Sequence, residues 1–217
     1  MLILIQLSVL AQAAEFQQIR FRSNERSMFQ DMNNSPSIKF PIKVRLDLLA
    51  HKVSLLTQAV LGGLDLRHDD RFKGASLQLN ADVSTIFQHS IRLIRCIIDC
   101  KIHQSDSVGT RNALELSRSL GARAWDDSPL QMTQVSKIGP VAVRKLVSAG
   151  IRTIDDLENT EPHKIDNILS KNPPFGLTIL SDLKTFPKLR VALKAMGEPV
   201  SPALRCLAHA DRYRESQ

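Results

Sequence analysis

Cysteine, aromatic residues and glycine–lysine pairs are scarce in this sequence, and each shortage excludes a class of protein. Three cysteines among 217 residues are too few, and odd in number, for a disulfide framework, which indicates a reducing compartment. Aromatic residues make up 5% of the chain, too little for the base-stacking platforms of sheet-based single-strand binders. None of the nine glycines precedes a lysine, so the chain has no phosphate loop and is not expected to hydrolyse nucleotide by itself.

Long apolar runs are also missing, which excludes a membrane-spanning helix. The apolar run at residues 1–13 is too short to cross a bilayer. It ends in Ala11-Gln12-Ala13 like a signal peptide, but no lysine or arginine precedes it and no disulfide framework follows. We therefore interpret the run as an amphipathic helix, on the spacing of its apolar residues: Leu2, Ile5, Leu7, Leu10 and Ala14.

The overall composition is typical of a basic globular protein. Hydrophobic residues make up 43% of the sequence and the net charge is +7. A chain of this length buries a core and forms one large or two small domains. The positive charge suits a nucleic-acid surface, although an evenly spread charge would only favour solubility.

Helical periodicity dominates, and the sequence predicts an all-α fold. Strand signals are confined to residues 39–44 and 189–193. We expect helix over residues 1–30, the longest helix over 82–103, and no regular structure at the C-terminal end. Four regions follow: a helical segment at 1–37, a helical bundle at 38–133, a helix-hairpin-helix module at 134–196, and a disordered tail at 197–217.

Residues 137–157 carry the most informative local pattern, that of two short helices joined by a tight turn. Gly139 opens the first helix, Gly150 closes it as a left-handed cap, and Thr153 begins the second helix as its N-cap. Backbone N–H groups at such a turn can bind a phosphate without reading sequence. The residues expected to contact phosphate are Gly139, Val141, Arg144 and Lys145, and those expected to face inward are Val141, Leu146 and Val147.

Two departures keep a second interpretation of this hairpin open. Lys137 stands where DNA-binding hairpins often carry their first glycine, and Pro140 removes one N–H donor from the turn. The same pattern therefore also fits a helix pair that only packs against protein.

The long helix carries a second set of cations. Arg92, Arg95 and Lys101 form a row that can contact successive phosphates as point charges. The alternative is a solvated face on which Arg95 pairs with Asp99 one turn further along the helix.

No catalytic or metal site is predicted. Cys96, Cys100 and His103 share one helix face, but a fourth ligand is missing, and we expect the cysteines to be small buried residues instead. Asp126 and Asp127 are adjacent and precede Ser-Pro, which indicates a turn rather than a catalytic pair.

Four segments together resemble one protein family. Residues 38–46 (IKFPIKVRL), 86–100 (IFQHSIRLIRCIIDC), 123–130 (RAWDDSPL) and 172–177 (NPPFGL) are similar to the C-terminal region of the meiotic crossover-promoting DNA helicases. These belong to the Ski-two-like branch of superfamily 2. The matching part is their Sec-sixty-three-type domain, the resemblance covers about residues 15–196, and it is closest to fungal members.

The resemblance implies a helical bundle and a helix-hairpin-helix module packed against a two-lobed ATP motor and a winged helix, with residues 1–37 following the winged helix. It implies that residues 86–100 line the path of the translocating strand, with Arg92 and Arg95 contacting it. The expected partners are single-stranded or branched DNA, motor domains in cis and recombination proteins, in the nucleus.

The resemblance also implies that ATP and magnesium serve the full-length helicase, while this chain binds no cofactor. Because the motor is missing, the sequence is expected to be a fragment, a truncated product or a diverged accessory module. An alternative function is a protein-interaction scaffold of the same domain type, without DNA contact.

Overall fold

The computed structural model describes residues 2–22, 25–66, 69, 71–187, 189–195 and 206–212. The fold is helical, as the sequence predicts. The chain forms two compact units, residues 1–160 and 161–217. Within the described residues, no helix is both long enough and apolar enough to cross a membrane.

The first unit contains seven α-helices in its described residues, joined by short connections. They are α1 (Leu2–Ala11), α2 (Glu25–Asn33), α3 (Leu49–Leu61), α4 (Ser76–His103), α5 (Ser107–Ala122), α6 (Pro140–Ser148) and α7 (Ile154–Glu158). Three 3-10 helices lie at Ala14–Phe16, Lys73–Ala75 and Pro129–Gln134.

The prediction of one helix over residues 1–30 is wrong, because the chain leaves the helical path after α1. A 3-10 helix and an irregular segment separate α1 from α2. Phe16 and Ile19 of this connection are nevertheless buried. Their spacing continues the apolar pattern of α1, so a pattern that looks helical in the sequence is produced by an irregular connection that enters the core.

One hydrophobic core joins α1, α2, α3, α4 and α5. Its members run from Leu7 to Trp125, with Phe16, Phe29 and Leu56 among the fully buried side chains. Helix α3 is buried on almost every side, as a central helix must be. The sequence places a boundary between residues 37 and 38, but the structure packs residues from both sides of it into this core.

A cluster of four charged residues lies at the edge of the core. The fully buried Lys52 ammonium is 2.7 Å from a Glu25 carboxylate oxygen and 3.0 Å from an Asp82 carboxylate oxygen. Arg22 contacts the same two carboxylates at 2.7 and 3.2 Å. Burial opposes ionisation of Glu25, but hydrogen bonds from Lys52 and Arg22 hold its pKa below the usual value. The cluster therefore ties α2, α3 and α4 together with balanced charge.

The extended segment between α2 and α3 is held by two side-chain amides. The Phe40 N–H donates to the Gln58 carboxamide oxygen at 2.7 Å, and the Gln58 amide nitrogen donates to the Phe40 carbonyl at 3.1 Å. Asn33 makes the same pair of bonds to the backbone of Ile42, at 2.7 and 2.9 Å. Each carboxamide thus satisfies the backbone donor and acceptor of one residue, as a neighbouring strand would.

The second unit contains α8 (Pro162–Leu169), α9 (Phe175–Lys184) and a strand pair, β1 (Leu189–Ala195) and β2 (Cys206–Arg212). Helices α8 and α9 meet closely, because the buried Asp166 carboxylate accepts a hydrogen bond of 2.6 Å from the Gly176 N–H.

The strands are antiparallel, with Leu189 opposite Arg212 and Ala195 opposite Cys206. Regular structure at residues 206–212 differs from the predicted disordered tail. Backbone hydrogen bonds create this pairing, and they leave little signature in composition. The rest of that predicted region, residues 197–205 and 213–217, lies outside the described residues.

Candidate nucleic-acid interface on the long helix

Helix α4 is a 28-residue rod with one buried face and one exposed face. The Ser90 hydroxyl lies on the buried face and donates a 2.7 Å hydrogen bond to the Ile86 carbonyl one turn earlier. This face packs into the bundle through apolar side chains, among them Leu79, Val83, Ile86 and Ile94. The opposite face is exposed to solvent within the described residues.

Arg92 and Arg95 both lie on the exposed side of α4. A separation of three residues places them about 4.5 Å apart along the helix axis and about 60° apart around it. A guanidinium of Arg92 lies 2.8 Å from a Glu15 carboxylate oxygen. Arg95 makes no ion pair within the described residues, and the alternative pair with Asp99 is not formed. Of the two arginines, Arg95 is therefore the more available to an external anion.

Lys101 does not lie beside these arginines. Nine residues separate it from Arg92, so the two side chains leave α4 on opposite sides. The Lys101 ammonium is 3.2 Å from an Asp106 carboxylate oxygen, and Asp106 in turn accepts a 2.8 Å hydrogen bond from the Gly109 N–H at the start of α5. These bonds, led by the one from Gly109, hold the pKa of Asp106 below its usual value. Lys101 thus fastens the turn between α4 and α5.

Cys96 and Cys100 are exposed, so the expectation that they are small buried residues is wrong. Cys96 lies one turn beyond Arg92 and shares its side of the helix. The sequence misleads here because half-buried isoleucines such as Ile91 and Ile98, which flank one side of the buried face, make the apolar stripe look wider than the face that the bundle covers. Among the described residues, no group of three or more metal-binding side chains comes together.

The adjacent carboxylates Asp126 and Asp127 each have a cation of their own. Arg118 is 2.7 Å from Asp126, and the Lys39 ammonium donates to Asp127 at 2.7 Å. The hydrogen bond from Lys39 is the main cause that lowers the pKa of Asp127. The pair therefore consists of two separate surface contacts.

The two short helices expected from residues 137–157 are present as α6 and α7, with the expected caps. Gly150 has a left-handed φ of 89°. The Thr153 hydroxyl accepts a 3.0 Å hydrogen bond from the Asp156 N–H, and the Asp156 carboxylate accepts one of 3.0 Å from the Thr153 N–H. This reciprocal capping box fixes the start of α7.

The face that α6 buries differs from the predicted one. Val143 and Leu146 are buried, whereas Val141 is 60% exposed, so its expected inward orientation is wrong. Val143 and Leu146 are three positions apart and share one side of α6, whereas Val141 lies at least about 140° around the helix from both. The four residues expected to contact phosphate are all exposed: Gly139, Val141, Arg144 and Lys145.

The turn before α6 contains an uncommon backbone conformation. Lys137 has a φ of 66°, in the left-handed region that favours glycine. The chain therefore makes at Lys137 the turn for which DNA-binding hairpins often use glycine, at the cost of some backbone strain.

Glu15 is a residue of the site that the sequence does not reveal. It lies 77 residues from Arg92, and no local pattern connects two positions so far apart. A backbone hydrogen bond, together with the bond and charge of Arg92, lowers the pKa of the Glu15 carboxyl. Glu15 therefore stays ionised near neutral pH and neutralises one of the two arginines.

Comparison with known proteins assigns most of the chain to one domain type. Residues 5–208 match the family model of the Sec63 Brl domain. The chain is 33% identical over 197 residues to the ATP-dependent DNA helicase MER3 of Saccharomyces cerevisiae, covering 87% of this chain and 16% of the yeast protein.

More distant relatives include the probable ATP-dependent DNA helicase HFM1 of Homo sapiens, with 27% identity over 86% of this chain and 13% of the human protein. The Arabidopsis thaliana DExH-box ATP-dependent RNA helicase DExH14 is 22% identical over 87% of this chain and 8% of that protein. The chain therefore spans about one-sixth or less of each of these relatives.

Proposed function

Because this chain belongs to the Sec63 Brl domain family, we propose that it is the nucleic-acid-binding accessory module of a meiotic 3′–5′ DNA helicase. In this proposal the exposed side of α4 contacts the phosphates of a single strand through Arg92 and Arg95. The observation that carries the proposal is that Arg95 is exposed and makes no ion pair within the described residues. Phosphate contacts of this kind give affinity without base specificity.

The proposed setting follows from the DNA helicases that this chain resembles. Motor domains in cis supply ATP hydrolysis with magnesium, and the module itself holds neither. The helicase acts in the nucleus on single-stranded or branched DNA during homologous recombination and crossover formation, together with recombination proteins. Arg144 and Lys145 of α6, with the turn at Gly139 and Val141, form a second and weaker phosphate contact.

A protein-interaction scaffold is the second candidate function. The observation that favours it is the exposed apolar side chain of Val141 beside a turn in which Lys137 replaces a glycine and Pro140 lacks an N–H. In this case the surface of α6 binds protein, and the cations of α4 are solvated.

Salt-dependent binding to a labelled single strand separates the two candidates. We expect the chain to bind with a Kd of about 10⁻⁴–10⁻⁶ M, as non-specific phosphate contacts do. Exchanging both Arg92 and Arg95 for alanine should flatten the log–log salt slope by up to about 1.4, because each full single-strand phosphate contact contributes about 0.7. Arg95→Ala alone should weaken binding more than Arg92→Ala, since Glu15 already neutralises Arg92.

The matched control is the double variant Arg144→Ala with Lys145→Ala, which removes the same charge from α6. It should weaken binding less than the α4 double variant. Circular dichroism should show intact helix in both, because exposed substitutions usually change stability by less than about 0.5 kcal/mol. Binding that neither pair alters, or that does not respond to salt, would support the scaffold instead.

A further inference from the structure

The connection between α1 and α2 runs along α4, and residues 14–22 of it are called the strap here. Three contacts define its course. Glu15 reaches Arg92 at 2.8 Å, the ring of Phe16 lies 6.5 Å from that of His89, and Arg22 reaches Asp82 at 3.2 Å. As the strap advances, its partners move backward along α4. It is therefore antiparallel to the helix, between residues 92 and 82.

Arg20 lies in the middle of this course. Its backbone carbonyl accepts a 3.0 Å hydrogen bond from the buried Lys52 ammonium, and the neighbouring Ile19 is buried in the core. The Arg20 side chain itself is exposed and makes no ion pair within the part of the chain that the structure describes. The backbone is thus anchored while the guanidinium is free in solvent.

The exposed arginines of the strap and of α4 are spaced so that one nucleic-acid strand can contact all three. The course of the strap places Arg20 beside the part of α4 between Asp82 and His89. At a rise of 1.5 Å per residue, this position is about 10 Å along the axis from Arg92 and about 15 Å from Arg95. Three cations over such a length can contact successive phosphates of one single strand.

The other charged groups of the strap determine where its potential is positive. Arg22 is engaged with Glu25 and Asp82, so it adds no free charge. Glu15, at the Arg92 end, is the one acidic residue of the described strap, and its carboxylate is paired with Arg92. A phosphate that approaches Arg92 must compete with this carboxylate.

We propose that the strap is the second wall of the single-strand surface, with Arg20 as a phosphate contact and Glu15 as a residue that weakens the contact of Arg92. The inference rests on the proposed function of α4. It extends that function to a connection whose sequence shows no helical row of cations. Loss of the Arg20 charge should therefore weaken single-strand binding, whereas loss of the Glu15 charge should tighten it.

The test measures single-strand affinity against salt for Arg20→Ala and Glu15→Gln in the full chain. Loss of the Arg20 contact should flatten the log–log slope by about 0.7, which corresponds to about fivefold weaker binding at 0.1 M salt. Glu15→Gln keeps the size of the side chain but removes its charge. It should tighten binding by about two- to fivefold, as expected when an exposed ion pair is released.

Arg111→Ala is the matched control, because it removes an exposed arginine whose ion pair, among the described residues, is with Glu115 of its own helix α5. It should leave the affinity within about twofold of the unaltered chain. A Glu15→Gln variant that binds no more tightly, or an Arg20→Ala variant that behaves like Arg111→Ala, would overturn the role of the strap. If the Arg92 and Arg95 substitutions also have no effect, the α4 surface itself is refuted, so the two failures are distinguishable.

Discussion

Lys52→Ala is expected to lower the free energy of unfolding by about 3–5 kcal/mol, the usual cost of removing one partner from a buried ion pair. Among the described residues, the Lys52 ammonium is the only fully buried cation that contacts both Glu25 and Asp82. Without it, two buried carboxylates share the partly exposed Arg22. Urea denaturation followed by circular dichroism measures the change.

Measuring the stability of Lys52→Ala at low pH tests the same prediction in a second way. The folded-state pKa of Glu25 is below its ordinary value of 4.5, so its contribution to stability is present above that value and is lost as pH falls through the lower folded pKa. A protonated Glu25 no longer needs the Lys52 cation. The stability difference between Lys52→Ala and the unaltered chain should therefore shrink at low pH.

Arg118→Ala serves as the control for the Lys52 prediction. It also breaks an ion pair of 2.7 Å, with Asp126, but the Arg118 side chain is 66% exposed. Its cost should stay within about 0.5 kcal/mol. If both substitutions lowered the free energy of unfolding equally, burial would not be the reason why the Lys52 cluster stabilises the fold.

Gly176→Ala should destabilise the second unit by about 1–3 kcal/mol, the range of an overpacked core. A β-carbon at this position would collide with the carbonyl oxygen and carbon of Pro162, which are backbone atoms and cannot rotate away. Relief of the collision would separate α8 from α9 and stretch the bond from the Gly176 N–H to Asp166. Hydrogen exchange of residues 162–184 detects this loss locally.

Gly121→Ala in α5 is the same substitution without an obstacle. Apart from the adjacent backbone of α5 itself, no described atom lies within 4 Å of the position of its β-carbon. Alanine in an exposed helical position should stabilise the chain by about 0.4–1 kcal/mol. The two glycine variants should therefore have opposite signs, and a neutral Gly176→Ala would show that the two helices can move apart without loss.

The sequence predicts well those features that depend on neighbouring residues. The cap at Thr153 and the left-handed Gly150 are local motifs, and the structure contains both. The predicted burial of Cys96 is wrong because the many isoleucines of α4 leave the phase of its apolar stripe ambiguous.

Contacts between residues far apart in the sequence cannot be predicted from the sequence, for a different reason. Glu15 and Arg92, or Lys52 and Asp82, come together only after the chain has folded, and charge is common along the whole sequence. A row of cations can therefore be identified in the sequence, but which of its members is neutralised cannot. The structure is needed to see that Arg92 is ion-paired while Arg95 is not within the described residues. It is also needed to see that Lys101 lies on another side of α4.

The carboxamide pairs of Asn33 and Gln58 make the extended segment sensitive to a change of a single atom. A carboxamide offers both donors and an acceptor, which match the C=O and N–H of one residue, whereas a carboxylate offers acceptors only. Conversion of Asn33 to aspartate, an almost identical shape, would place a negative charge against the Ile42 carbonyl. Pro41 tolerates its missing N–H because neither carboxamide uses its backbone. Hydrolysis of either side-chain amide during storage would thus loosen residues 40–42 while leaving every apolar contact in place.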